Sequence, residues 1–148
     1  MAKKTAARHQ IGALPVRERD GTTEVCLVTT RETRRWTVPK GWPMRGHKDW
    51  DAARIEAEEE AGVSGTVARK PIGSYLYWKR RIEKFDLVRV NVYRLDVLRQ
   101  LAAWKEAAER RVEWFPAEVA AEMVDEPGLA ALISAFADEA AEGGQEPV

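Results

Sequence analysis

The chain has 148 residues, with Lys plus Arg and Asp plus Glu balanced at 24 each and a single cysteine. That length suits one domain with one core, and the balanced charge gives no case for general nucleic-acid binding or membrane adhesion, so any phosphate-binding surface must be local. One cysteine allows no internal disulfide, "MAKKTAARHQ" lacks an apolar signal region, and nowhere is there a run of about 18 apolar residues, so the expected compartment is a reducing cytoplasm.

Residues 1–8 read as a basic tail, 9–142 as a single domain and 143–148 as a second tail. "QIGALPVRE" predicts a short strand interrupted or bent near Pro15, and Asp20-Gly21 is a turn signal. "TEVCLVTTR" is apolar and β-branched enough for a buried strand, with Cys26 as a small buried hydrophobe. "RRWTVPKGW" begins extended, and Pro39, Gly41 and Pro43 then force the chain to turn.

From Asp49 the periodicity becomes helical. Asp49 is the expected N-cap, Trp50, Ala53, Ala57 and Ala61 recur at intervals of three or four, and Gly62 fits the position after the last turn. "TVARKPIGSYLYWKR" offers two strands around Pro71 and Gly73. "KFDLVRVNVYRLDVL" alternates Phe85, Leu87 or Val88, Val90 and Val92 with polar residues along a long strand, and "VEWF" adds a short one. Pro116 can open a helix through about Met123, and a C-terminal amphipathic helix begins near Pro127. The economical architecture is α/β, a mixed sheet with helices on its faces.

The helix at residue 49 carries Glu56, Glu58, Glu59 and Glu60 within five positions. Like charges three or four apart repel by a few tenths of a kcal/mol per pair, so a compensating partner is expected. At about 100° per residue, Glu59 and Glu60 lie roughly 60° and 40° to either side of Glu56, while Glu58 points elsewhere. Three converging carboxylates suit a hard cation such as Mg²⁺ or Mn²⁺, and the preceding loop can add a backbone carbonyl, with Gly41 the preferred donor. Plain solvation also produces acidic helix faces, and geometry alone leaves both readings open.

These residues resemble the Nudix box: Gly, five residues, Glu, seven residues, then Arg-Glu-U-x-Glu-Glu-x-Gly-U, with U aliphatic. The opening glycine corresponds to Gly41 and the closing run to Ile55-Glu56-Ala57-Glu58-Glu59-Glu60-Ala61-Gly62-Val63. The "PKG" segment, the strand order and the C-terminal helix extend the resemblance over essentially the whole chain. Two positions depart from the pattern: His47 stands for the first glutamate and Ile55 for the arginine, residues described in the family as supporting the loop and orienting the carboxylates.

The resemblance implies a Nudix fold, an α/β/α sandwich in which the box helix and the C-terminal helix pack on a central mixed β-sheet. It implies Glu56 and Glu60 as magnesium ligands, Glu59 as a second-metal ligand or general base, and the Gly41 carbonyl as a further ligand; Glu56 and Glu59 are the alternatives for the base. It further implies hydrolysis of a diphosphate linked to another group, with Mg²⁺ or Mn²⁺ as cofactor. Candidate phosphate-binding residues are Arg34, Arg35, Lys40, Arg45, Lys79 and Arg81, with Arg31, Arg80 and Lys84 nearby. "RRWTVPKGWPM" is similar to the corresponding segment of diphosphoinositol polyphosphate phosphohydrolases and diadenosine polyphosphate hydrolases, so the expected partner is a small polyphosphorylated molecule. A catalytically weak phosphate-binding module is the alternative that His47 and Ile55 raise. Glu106, Glu109 and Glu113 rank low as an additional acidic ligand, since each equally suits an ordinary surface loop.

Overall fold

The computed structural model describes residues 8–143. Along them run β1 (Arg8–Arg19), β2 (Thr22–Thr29), β3 (Trp36–Thr37), β4 (Lys40–Gly41), α1 (Asp49–Ala61), β5 (Val63–Val67), β6 (Gly73–Arg81), β7 (Lys84–Gln100), β8 (Val112–Pro116), α2 (Ala117–Met123) and α3 (Pro127–Gly143). Of the two expected tails, residues 1–7 and 144–148 lie outside the described range. Arg8 is already strand and Gly143 still helix.

The hairpin between β1 and β2 closes as its turn signal predicts. Asp20 and Gly21 both have positive φ, 51° and 79°, and Arg19 faces Thr22. Successive left-handed residues match the right-handed twist of the flanking strands.

Pro15, by contrast, does not interrupt β1. The strand runs its 12 residues through it, pairing parallel with β7 from Arg8 to Val16. On its other flank β1 meets β4 at Ile11 and Gly12 and β2 from Val16 onward. The Ala13 amide points to that flank, donating to the Pro39 carbonyl at 2.9 Å, so the missing amide of Pro15, two residues on, falls in the gap between the two pairings.

The sheet is mixed. β1 is parallel to β7 and antiparallel to β2, and β5 and β6 both pair antiparallel with β7. Period-two alternation sends opposite sets of side chains to its two faces. Ile11, Ala13, Cys26, Val28, Tyr93 and Leu95 meet Ala52, Ala53, Ala57 and Ala61 of α1. Leu14, Val16, Val25, Leu27, Val88, Val90 and Val92 meet Ala117, Ala120, Leu129, Ile133 and Phe136 of α2 and α3. The result is the expected α/β/α sandwich. Each fully buried aliphatic contributes about 1.5–3 kcal/mol of transfer free energy. Alanine at the contact positions of α1 lets that helix sit close to the strands, and burial pushes the Cys26 thiol up to about 12, which leaves it an inert core group.

Two details differ from the sequence reading. Phe85 belongs to the opposite face from Val88, Val90 and Val92, beside the β6–β7 turn, and is 61 % exposed. β5 begins at Val63, immediately after α1, rather than at Thr66. Gly62 makes that abrupt exit possible: it adopts φ 67°, its amide donates to the Glu58 carbonyl at 3.1 Å, and a Cβ there would overlap the Trp104 ring.

Candidate active site

Asp49 is not the N-cap of α1. Lys48 holds the extended torsions of that position, and Asp49 and Asp51 lie inside the first turn, where their charge favours the positive end of the helix. Asp51 is gripped from both sides, by His47 Nδ1 at 2.8 Å and Arg54 Nε at 2.8 Å, and these two hydrogen bonds hold its carboxyl below the usual range. Arg54 continues to Glu58 at 2.9 Å. His47 therefore organises the start of the helix, and Glu58 faces away from the other glutamates, paired along the helix surface.

The last two turns of α1 carry the four glutamates. Glu60 is 3 % exposed, and its carboxyl is in hydrogen-bond contact with that of Glu56. Burial first, and the Glu56 contact second, push the Glu60 pKa far above that of a free carboxyl; burial likewise raises Glu56. The backbone of Gly41 in β4 passes directly against this pair, so closely that a Cβ at Gly41 would overlap the Glu56 carboxylate. Glu59, one third exposed, instead approaches Lys105 Nζ at 3.8 Å.

The segment between β7 and β8 closes over this end of α1. The Leu101 amide donates to the Gly62 carbonyl at 2.7 Å and the Glu106 amide to the Glu59 carbonyl at 2.9 Å. Glu106 is thereby buried to 9 % exposure beside the cluster, with Arg110 Nε donating to it at 2.9 Å and lying 3.8 Å from Glu60. Glu106 is thus not the ordinary surface-loop residue that the sequence equally suggested. Glu109 and Glu113 stay outside, paired with Arg31 at 3.4 Å and Arg111 at 3.2 Å.

Of the basic candidates, Lys40 is the one drawn into the cluster. Its ammonium lies 5.2 Å from the centre of the Tyr77 ring, and burial lowers its pKa to about 8 against the attraction of Glu60 and Glu126. Lys79 adds like charge from β6. Arg35 pairs with Asp125 at 3.1 Å, Arg34 donates to the Glu109 carbonyl at 3.3 Å, and Arg81 is held by Asp86 at 2.9 Å. Arg45 is exposed in the loop before α1. Trp36 packs edge-on against Phe115 at 5.2 Å as part of the fold, while Trp42 lies 38 % exposed beneath the Arg8 guanidinium.

Among the described residues no three acidic, histidine or cysteine side chains stand gathered as a closed metal cage. The donor chemistry nonetheless fits a hard divalent cation. Glu60, buried, and Glu56, half-buried beside it, are oxygen donors that repel one another when both ionise, and a doubly charged cation is the group that relieves such a pair. Cavity size alone would point elsewhere: a cavity of about 750 Å³ lies between the β1–β2 hairpin and α3, lined by Glu18, Thr22, Arg94 and Phe136, and touches none of these carboxylates.

Sequence reasoning missed Arg110 and Glu126 and ranked Glu106 low. Glu106 and Arg110 stand four apart, a weak signal of an ion pair, but only the docking of their segment on α1 brings them to Glu60. Glu126 precedes α3 and is raised by burial, with Lys40 and Arg35 opposing the shift.

Comparison with known proteins agrees with this geometry. A family model described as the NUDIX domain matches residues 7–136. An Ap4A hydrolase of C. elegans, solved as a binary complex, superposes with a TM-score of 0.68 at 21% identity, covering 92% of this chain and 99% of that one. The NUDIX domain of Shewanella oneidensis NrtR, complexed with ADP ribose, gives 0.68 at 15% identity over 90% and 88% of the two chains. A NUDIX hydrolase from Nitrosomonas europaea gives 0.68 at 17% identity over 97% and 94%. Comparison with curated proteins returned no match.

Proposed function

This chain belongs to the Nudix family of pyrophosphohydrolases, and from that premise we propose that it uses Mg²⁺ or Mn²⁺ to hydrolyse a diphosphate linkage in a polyphosphorylated small molecule, either a dinucleoside polyphosphate or a diphosphoinositol polyphosphate. The observation that carries this reading is the contact of the buried Glu60 carboxyl with that of half-buried Glu56, with the Gly41 backbone against them. Glu56, Glu59, Glu60 and the Gly41 carbonyl would hold the cation. When bound, it supplies charge neutralisation at the phosphates and makes a nearby water more acidic.

The remaining work falls to this chain's own side chains. Glu59, far more exposed than Glu60, is free to turn from Lys105 and accept the proton of the attacking water; Glu56 is the alternative base. Lys40 and Lys79 bind phosphate oxygens beside the cluster, and Arg34, Arg35, Arg45 and Arg81 supply charge further along a long phosphate chain. The likeness to an Ap4A hydrolase favours the dinucleoside polyphosphate of the two substrates.

The test is product identification by mass spectrometry in ¹⁸O-labelled water, with Mg²⁺ or Mn²⁺ and a panel of both substrate classes, nucleotide sugars and nucleoside triphosphates. Metal-dependent cleavage is expected, and Glu59→Gln should reduce it by orders of magnitude while leaving the circular-dichroism spectrum unchanged. Binding without cleavage across the panel would identify a phosphate-holding module instead, in which His47 and Ile55 mark the loss of catalysis.

A further inference from the structure

Arg110 is 11 % exposed and makes three contacts that fix its guanidinium. Nε donates to Glu106 Oε1 at 2.9 Å and lies 3.8 Å from Glu60 Oε1, while Nη1 donates to the Thr29 carbonyl at 3.0 Å. Thr29, itself 2 % exposed, grips the adjacent residue twice: its amide donates to the Arg111 carbonyl at 3.1 Å, and its Oγ1 accepts from the Arg111 amide at 2.9 Å. The guanidinium is therefore registered against the end of β2, and through Glu106 against the end of α1.

A buried arginine is expensive to desolvate, so its position implies that the surrounding carboxylates need a fixed cation. It is too enclosed to serve as a clamp for a substrate phosphate. Its two carboxylate contacts differ in kind, a hydrogen bond to Glu106 and a longer ionic approach to Glu60. Within α1 no residue does this work. The helix has one arginine, Arg54, and that side chain is committed to Asp51 and Glu58 on another face.

We propose that Arg110 is the positioning residue of the metal centre, fixing the Glu106 carboxylate by a hydrogen bond and the Glu60 carboxylate by charge, so that both are kept ordered beside the residues that would hold the cation. The inference rests on the reading of Glu56, Glu59 and Glu60 as the metal cluster. It assigns to the β7–β8 segment the orienting duty that Ile55, at its place on α1, has no charge to perform.

The test uses the full chain and its Arg110→Met and Arg110→Lys variants, with calorimetric Mn²⁺ titration, steady-state kinetics and thermal unfolding. Losing a partner that orients metal ligands should weaken Mn²⁺ binding and lower kcat by about 10–100-fold each, with KM for the phosphate substrate unchanged. Arg110→Lys keeps the charge without the planar fork and should fall between wild type and Arg110→Met. On a Glu106→Gln background Arg110→Met should lose less than it does alone, because part of its target is already gone.

Wild-type Mn²⁺ affinity with only a lower melting temperature would reduce Arg110 to a loop anchor and overturn the proposal. A raised KM at constant kcat would overturn it in favour of substrate contact. If Arg110→Met does not fold, Arg110→Lys decides: weakened Mn²⁺ binding supports the proposal, and wild-type binding overturns it. Absence of Mn²⁺ binding and turnover in the wild-type chain would instead overturn the metal-cluster reading, and the role of Arg110 with it.

Discussion

Replacing Glu60 with Gln should stabilise the metal-free protein while abolishing its metal-dependent activity, and the stabilisation should grow with pH. Burial, reinforced by the Glu56 contact, raises the Glu60 pKa from 4.5 to about 9 in the folded chain. A carboxyl whose folded pKa lies above its unfolded one holds an extra proton in the native state throughout that window. Stability from this group is thus complete below about pH 4.5 and is lost as pH rises towards 9. At pH 8 the full shift would correspond to about 5 kcal/mol, and sharing of the proton with Glu56 brings the expected effect to about 2–5 kcal/mol; at pH 5 it falls below about 1 kcal/mol.

For a chain of this size that is a rise in melting temperature of roughly 5–15 °C at pH 8, shrinking to a degree or two at pH 5. Thermal unfolding of both proteins in EDTA at pH 5, 6.5 and 8 reads it directly. Saturating Mn²⁺ should then reverse the order, stabilising the wild type and leaving Glu60→Gln little changed, because only a ligand that binds the folded state shifts the midpoint. Parallel melting temperatures for the two proteins across this pH range would refute the burial of Glu60 beside Glu56 as the source of the effect.

Two further substitutions probe the same centre. Gly41→Ala places a Cβ into the Glu56 carboxylate, so Mn²⁺ affinity should fall about 10–100-fold by calorimetry while the metal-free melting temperature moves little; unchanged affinity would show that this approach of backbone to carboxylate is incidental. Ile55→Arg should change kcat by no more than about twofold, the worth of one added helix-surface pair with Glu59, because Arg110 already supplies the charge. A tenfold gain would show that α1 still lacks its arginine.

The parts of the molecule legible in the sequence are those governed by local periodicity. Trp50 and alanines at intervals of three and then four placed α1 and its packing face, Gly62 placed its end, and the same arithmetic put Glu56, Glu59 and Glu60 on one side with Glu58 on another. Long-range events were not legible in that way. Pro15 reads as a strand breaker until the gap between β4 and β2 absorbs its missing amide, and Phe85 reads as core until pairing assigns its face. Asp49 reads as an N-cap because capping preferences describe side-chain types, whereas here the extended torsions fall one residue earlier, at Lys48.

The same division runs through the site. Its carboxylates on α1 follow from helix geometry, but the cations that balance them come from β4 and from the segment before β8, elements far apart in sequence. Lys40 arrives through the pairing of β4 with β1, and Arg110 through the pairing of β2 with β8, which carries Thr29 alongside. An acidic helix considered alone therefore looks overcharged, and a box with isoleucine at the arginine position looks incomplete. Within the folded chain a lysine and a buried arginine already stand near Glu60. The exchange of one helix-borne arginine for a loop-borne one would leave the charge of the site unchanged while making its order depend on the docking of residues 101–111 against α1.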